Sequence, residues 1–133
     1  MISYSPSSFS HTLSRGVDKR KIFLDKQDYL RFIHDLFEFN DQEPANNNRY
    51  QFNKPGGSAA RGFHKSPYRK SLVSLHAFCL MPNHYHLLLS ERIDHGVSLF
   101  MKKINVGYAN YFNQKYERTG ALFEGRYKSV PVV

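Results

Sequence analysis

Two histidines one residue apart, in His84-Tyr85-His86, are the clearest candidates for chemistry along this chain. Side chains two apart on a β-strand leave the same face, so these imidazoles would stand side by side while Tyr85 and Leu87 turn to the opposite face. Two neighbouring imidazoles can share one metal ion. Imidazole nitrogen suits Zn, Mn, Fe or Ni, and a hard ion such as Mg²⁺ would need carboxylate, amide or water oxygens as well. A pair of protein nitrogens leaves coordination positions open. An ion with open positions can touch a phosphodiester oxygen, draw charge from the phosphorus and stabilise a leaving alkoxide. By itself an H-x-H strand is a weak signal, because half-exposed histidines bonded to their neighbours are commoner than metal ligands. Asn105, Asn113 and Gln114 are oxygen donors of the right type farther along, but the sequence does not choose among them or against a plain solvated role.

The elements that would position the pair follow from periodicity. Ser8 to Ser14 alternates weakly and predicts a first strand, ending in the basic loop Arg15-Gly16-Val17-Asp18-Lys19-Arg20-Lys21. Asp25, with Asp28 three residues on in a capping-box-like position, opens a helix from Lys26 to Phe39 whose apolar stripe is Tyr29, Phe32, Ile33, Leu36 and Phe37. Residues 40–70 carry Pro44, Asn46-Asn47-Asn48, Pro55-Gly56-Gly57 and Pro67 with few apolar anchors, and predict a long, polar, mobile insertion. Ser71 to Leu80 and His84 to Ser90 form a hairpin through the turn residues Met81-Pro82-Asn83. Val97, Phe100, Met101, Ile104, Tyr108, Tyr111 and Phe112 line one side of a second helix, slightly weakened by Gly107 and closed before Gly120. Leu122 to Val133 predicts the last strand. Strand, helix, strand, strand, helix, strand is the ferredoxin-like split βαβ plan: an α+β sandwich of one antiparallel sheet with both helices on one face.

The composition bounds the partners. At 133 residues, 41% hydrophobic and 23% charged, the chain suits one domain with a modest core. Nineteen Lys and Arg against eleven Asp and Glu give a formal charge of +8, which attracts polyanions, nucleic acid first among them. No apolar run approaches the roughly 20 residues that span a bilayer. The Ser-rich, uncharged N-terminus does not read as a secretory signal, which places the protein in the cytoplasm. One cysteine, Cys79, excludes an internal disulfide and a thiolate zinc cage, and reads as a small buried side chain.

The segment from His76 to Leu89, His-Ala-Phe-Cys-Leu-Met-Pro-Asn-His-Tyr-His-Leu-Leu-Leu, resembles the signature of the REP-associated tyrosine transposases, a single-tyrosine branch of the HUH endonuclease superfamily. The likeness extends upstream to His11-Thr12-Leu13-Ser14-Arg15-Gly16 and Lys21-Ile22-Phe23. Downstream it takes in Tyr111-Phe112-Asn113, Arg118-Thr119-Gly120 and Gly125-Arg126-Tyr127-Lys128-Ser129. Nearly all of the chain outside 40–70 is covered. The resemblance implies a transposase domain across 1–133 in which His84 and His86 bind Mg²⁺ or Mn²⁺. It also implies that a tyrosine attacks a single-stranded DNA phosphate to give a 5′-phosphotyrosine, that hairpin DNA is the substrate, and that the chain forms a homodimer.

That family's attacking tyrosine lies on a helix after the strand corresponding to Gly125 to Val133, so the nucleophile is expected beyond Val133. The internal substitutes are Tyr108 and Tyr111, although both fall on the apolar stripe and read more readily as core side chains. Arg15, Lys19, Arg20 and Lys21 in one loop, with Arg126 and Lys128 alternating onto one face of the last strand, are candidates to track a phosphate backbone, against the bland alternative of a solvated charge run. Tyr50, Phe52, Phe63 and Tyr68 are candidates to stack on bases at about 1 to 3 kcal/mol each. Two rivals accompany the enzyme reading: a truncated, catalytically dead module that grips hairpin DNA, and an RNA-binding domain of the same sheet plan. The second lacks the aromatic strand motif such domains use.

Overall fold

Among the described residues, alternation in the apolar runs and helical spacing between them build four strands and two long helices in the order the sequence predicts. The computed structural model describes residues 8–43 and 69–132. Strand β1 is Phe9–Arg15, helix α1 Lys26–Glu38, strand β2 Val73–Met81, strand β3 His84–Glu91, helix α2 Gly96–Lys115 and strand β4 Lys128–Val132, with one 3₁₀ turn at Val17–Lys19. The sheet order is β2-β3-β1-β4 and every pairing is antiparallel, the α+β split βαβ arrangement.

Both helices cover one face. Tyr85, Leu87 and Leu89 of β3 point inward and are fully buried, against Phe100, Met101, Ile104, Tyr108 and Phe112 of α2 and Phe32 and Leu36 of α1. Gly107 has a role that propensity alone does not reveal: a Cβ there would lie 2.4 Å from the Phe39 ring, so the glycine lets the two meet. At the start of α1 the Asp25 carboxylate accepts the Asp28 amide at 3.0 Å, as an N-cap should. The α1 stripe is narrower than predicted. Ile33 and Phe37 are 40% and 62% exposed, and the Arg69 guanidinium covers the Phe37 ring at 4.2 Å.

Two boundaries move. Asn40, placed in the insertion by sequence, anchors the fold: its Oδ1 accepts the amides of Leu72 and Val73 at 2.8 and 3.0 Å, and its Nδ2 donates to the Val73 carbonyl at 2.8 Å. Residues 44–68 of that expected insertion, with Tyr50, Phe52, Phe63 and Tyr68, lie outside the described residues. The last strand is shorter than Leu122 to Val133. Leu122 and Phe123 are buried in the core, Phe123 making a lone bridge to Gly16, and Gly125 with φ 57° turns the chain before β4 begins.

Candidate functional site

The face of the sheet away from the helices has no element packed over it among the described residues. Strand alternation puts His84 and His86 on that face, because their neighbours Tyr85 and Leu87 are inward and buried. Register then decides their company. His84 is paired with Arg15 on one side and Met81 on the other, and His86 with Leu13 and Cys79; Leu13 in turn pairs with Lys128. Directly opposed residues share a face. Two rows, Met81-His84-Arg15 and Cys79-His86-Leu13-Lys128, therefore cross the sheet side by side. Cys79 is exposed here, not buried as its type suggests.

The two imidazoles are 4.9 Å apart between ring centroids and nearly perpendicular at 82°. His84 Nδ1 is 2.7 Å from Asn83 Oδ1, and His86 Nδ1 is 2.8 Å from Nε2 of His11 on β1. Partial burial, then the nearby His84 and His11 rings, lowers the His86 imidazole from its ordinary value and so favours its neutral form, the form in which an imidazole can coordinate. Among the described residues no group of three or more His, Cys, Asp or Glu is arranged to hold a metal. An ion held here would have two imidazole nitrogens, with its remaining positions left to water or substrate oxygen. His11 and Asn83 are members of this site that spacing alone does not mark, and only the pairing of β1 with β3 brings His11 to His86. Another histidine on this face, His76, has a different role, stacking on Phe9 at 4.5 Å and bonding Ser90 Oγ at 2.8 Å.

The oxygens suggested on α2 are not at this site. Asn105 accepts from the Tyr85 hydroxyl and donates to Ser14 Oγ at 3.1 Å, on the helix-covered side. Asn113 accepts from Arg118 at 2.6 Å and donates to the Gly120 carbonyl at 2.9 Å. Gln114 sits on the same helix, which packs against the other face of the sheet.

Tyr108 and Tyr111 are likewise on the wrong side to join the histidines. The Tyr108 hydroxyl is fully buried and donates to the Ile22 carbonyl at 2.5 Å. The Tyr111 hydroxyl donates to the buried carboxylate of Asp28 at 2.7 Å. Burial and Asp28 push the Tyr111 phenol up to about 12, and the same causes push Tyr108 higher, so neither readily becomes a phenolate.

Of the basic candidates, Arg15 and Lys128 share the histidine face through register. Lys19, Arg20 and Lys21 lie in the loop that packs against the β2–β3 turn, where Gly16 N donates to the Asn83 carbonyl at 2.9 Å and Ile22 N to that of Pro82 at 2.8 Å. The basic loop thus rims the His84 end of the sheet. Arg20 is turned inward within it, its guanidinium 5.0 Å over the Phe112 ring, whereas Lys19 and Lys21 are exposed. Arg126 is exposed but precedes β4, because the turn at Gly125 delays the strand, so it does not alternate with Lys128 along it.

Fold and site together define a small split βαβ domain that presents an H-x-H strand on an open, basic sheet face. Residues 45–132 match the family model described as IS200-like transposase, and the chain belongs to that family. A solved REP-associated tyrosine transposase bound to a REP hairpin superposes with a TM-score of 0.56 at 12% identity, over 100% of this chain and 61% of that one. A candidate transposase from Deinococcus radiodurans superposes with a TM-score of 0.56 at 15% identity, over 100% of this chain and 87% of that one. No curated protein sequence matches the chain. Among the described residues no helix is long and apolar enough to cross a membrane.

Proposed function

We propose that residues 1–133 form one transposase domain that grips single-stranded or hairpin DNA on the open face of its sheet, with His84 and His86 binding Mg²⁺ or Mn²⁺ beside a phosphate. The observation that carries this reading is the meeting of His84, His86, Arg15 and Lys128 on one uncovered face. Arg15, paired with His84, neutralises a phosphate next to the imidazoles; Lys19, Lys21, Arg126 and Lys128 follow the backbone on either side. A bound ion supplies Lewis acidity, drawing charge from the phosphodiester and steadying the departing oxygen. The structural neighbour bound to a REP hairpin supports DNA of that form as the ligand. Family membership favours this reading over an RNA-binding domain of the same sheet plan.

In the complete family form the reaction is strand cutting and rejoining through a phosphotyrosine. Neither Tyr108 nor Tyr111 takes that part, since both hydroxyls are bonded on the helix-covered side. With Tyr108 and Tyr111 held there, hairpin binding is the part of that reaction which the open face of the domain supports. Incubation with Mn²⁺ and hairpin DNA should give a saturable complex without a covalent band. The complex should weaken steeply with salt, log K falling by about 0.7 to 0.9 per decade for each phosphate neutralised. A flat salt response would remove the electrostatic account. A covalent adduct at Tyr108 or Tyr111 would overturn the assignment of those residues.

A further inference from the structure

We infer that His11 and Asn83 are positioning residues, which hold His86 and His84 in the ring tautomer that leaves both Nε2 lone pairs available to an ion. The inference rests on the metal reading above and extends it to two residues outside the H-x-H pair.

Asn83 fixes its own orientation. Its Nδ2 lies 3.3 Å from the Lys19 carbonyl, which only accepts, so the amide nitrogen faces Lys19 and Oδ1 faces His84. An amide oxygen accepts only, so His84 Nδ1 carries the proton and Nε2 is left with its lone pair. The basic loop thereby determines which nitrogen of His84 is a donor to metal.

At His86 the contact is between two rings, Nδ1 to His11 Nε2 at 2.8 Å, with centroids 5.0 Å apart and planes within 26°. One nitrogen must carry the proton. If His11 donates, a neutral His86 holds its own proton on Nε2 and cannot coordinate there. If His86 donates, Nε2 is free, and His11 is the acceptor that anchors the ring. Metal-bound histidines nearly always donate their other ring N–H to such an acceptor, and losing the acceptor typically costs roughly 10- to 100-fold in metal affinity. His11 is exposed on β1, so that residue can be changed without opening the core.

The test uses the full chain and Mn²⁺ alone, followed by calorimetry and by the electron paramagnetic resonance signal of free Mn²⁺. His11→Phe keeps a flat ring and removes the acceptor, and is expected to weaken Mn²⁺ by roughly 10- to 100-fold. His11→Gln, whose Oε1 can accept, should recover most of the loss, which a merely structural role would not produce. Native-like Mn²⁺ affinity in His11→Phe, with binding lost in His86→Ala, would overturn the role of His11 and leave the metal site standing. Absence of saturable binding by the native chain, or no effect of His86→Ala, would overturn both. Should His11→Phe fail to fold, long-range ¹⁵N correlations on the native chain with Mg²⁺ decide: the proton on His86 Nδ1 supports the inference, and on Nε2 refutes it.

Discussion

The two faces of this sheet treat their polar groups in opposite ways. On the helix-covered face most hydroxyls and amides satisfy one another, Thr12 Oγ1 being a buried exception: Tyr85 with Asn105, Asn105 with Ser14, Tyr108 with the Ile22 carbonyl, Tyr111 and Tyr116 with Asp28. A buried polar group without a partner is costly, so the packing of α2 determines where each of these atoms points. On the open face the histidine pair uses only its Nδ1 atoms within the fold. Residue type alone does not separate the groups bonded within the core from those left on the open face. Tyrosine and asparagine suit the chemistry, yet the α2 examples are bonded within the fold, whereas the histidines keep one ring nitrogen outside its internal bonds.

The contrast can be broken or sharpened by substitution. The largest effect expected is on the open face: His86→Ala should weaken Mn²⁺ by at least ~100-fold, beyond the loss of a supporting residue, yet shift stability by less than about 0.5 kcal/mol. Titration calorimetry and urea unfolding on the same sample check both halves, and a large loss of stability would blur the distinction between faces.

Asp28→Asn should do the reverse, destabilising by about 2 to 3 kcal/mol through lost charge-assisted bonds while leaving Mn²⁺ binding alone. Burial disfavours the Asp28 carboxylate, but bonds from Tyr116, Lys115, the Leu24 amide and Tyr111 outweigh it and hold the group below its ordinary 3.8. A depressed folded value means the contribution is complete above 3.8 and is lost as pH falls through the lower, folded value. Urea curves for native and variant chains should therefore converge as pH falls from 3.8 through the lower, folded value, and a gap that persists in strong acid would contradict the ionised role.

Gly107→Ala gains about 1 kcal/mol of helix propensity and forces the Phe39 ring aside, so a net loss of about 1 to 2 kcal/mol is expected in thermal unfolding. An increase in Tm would show that the contact is slack. Smallest is Arg15→Ala, which should lower the salt slope of DNA binding by about 0.7 to 0.9 with the fold unchanged. An unchanged slope would place the phosphates elsewhere.

Much of this was legible from residue order. The strand and helix sequence, the hairpin at Pro82-Asn83 and the shared face of His84 and His86 follow from local periods of 2 and 3.6, which need no knowledge of partners. Errors fall where distant contacts compete with local pattern. Asn40 looks like loop polar residue until β2 arrives to use its amide; Phe37 looks like core until Arg69 covers it in the open. Leu122 and Phe123 have strand composition but fill the core, and the turn at Gly125 leaves β4 shorter and Arg126 outside it.

The chain's order of residues by itself determined the α+β plan, the basic charge and the side-by-side imidazoles, because each depends on composition or on neighbours within one element. Tertiary structure alone decided that Arg15, Lys128 and His11 join those imidazoles and that Tyr108, Tyr111, Asn105 and Asn113 do not. The physical reason is register: which side chains meet across a sheet is set by hydrogen bonds between strands far apart in sequence, and a slip of one residue would send the histidines to the other face.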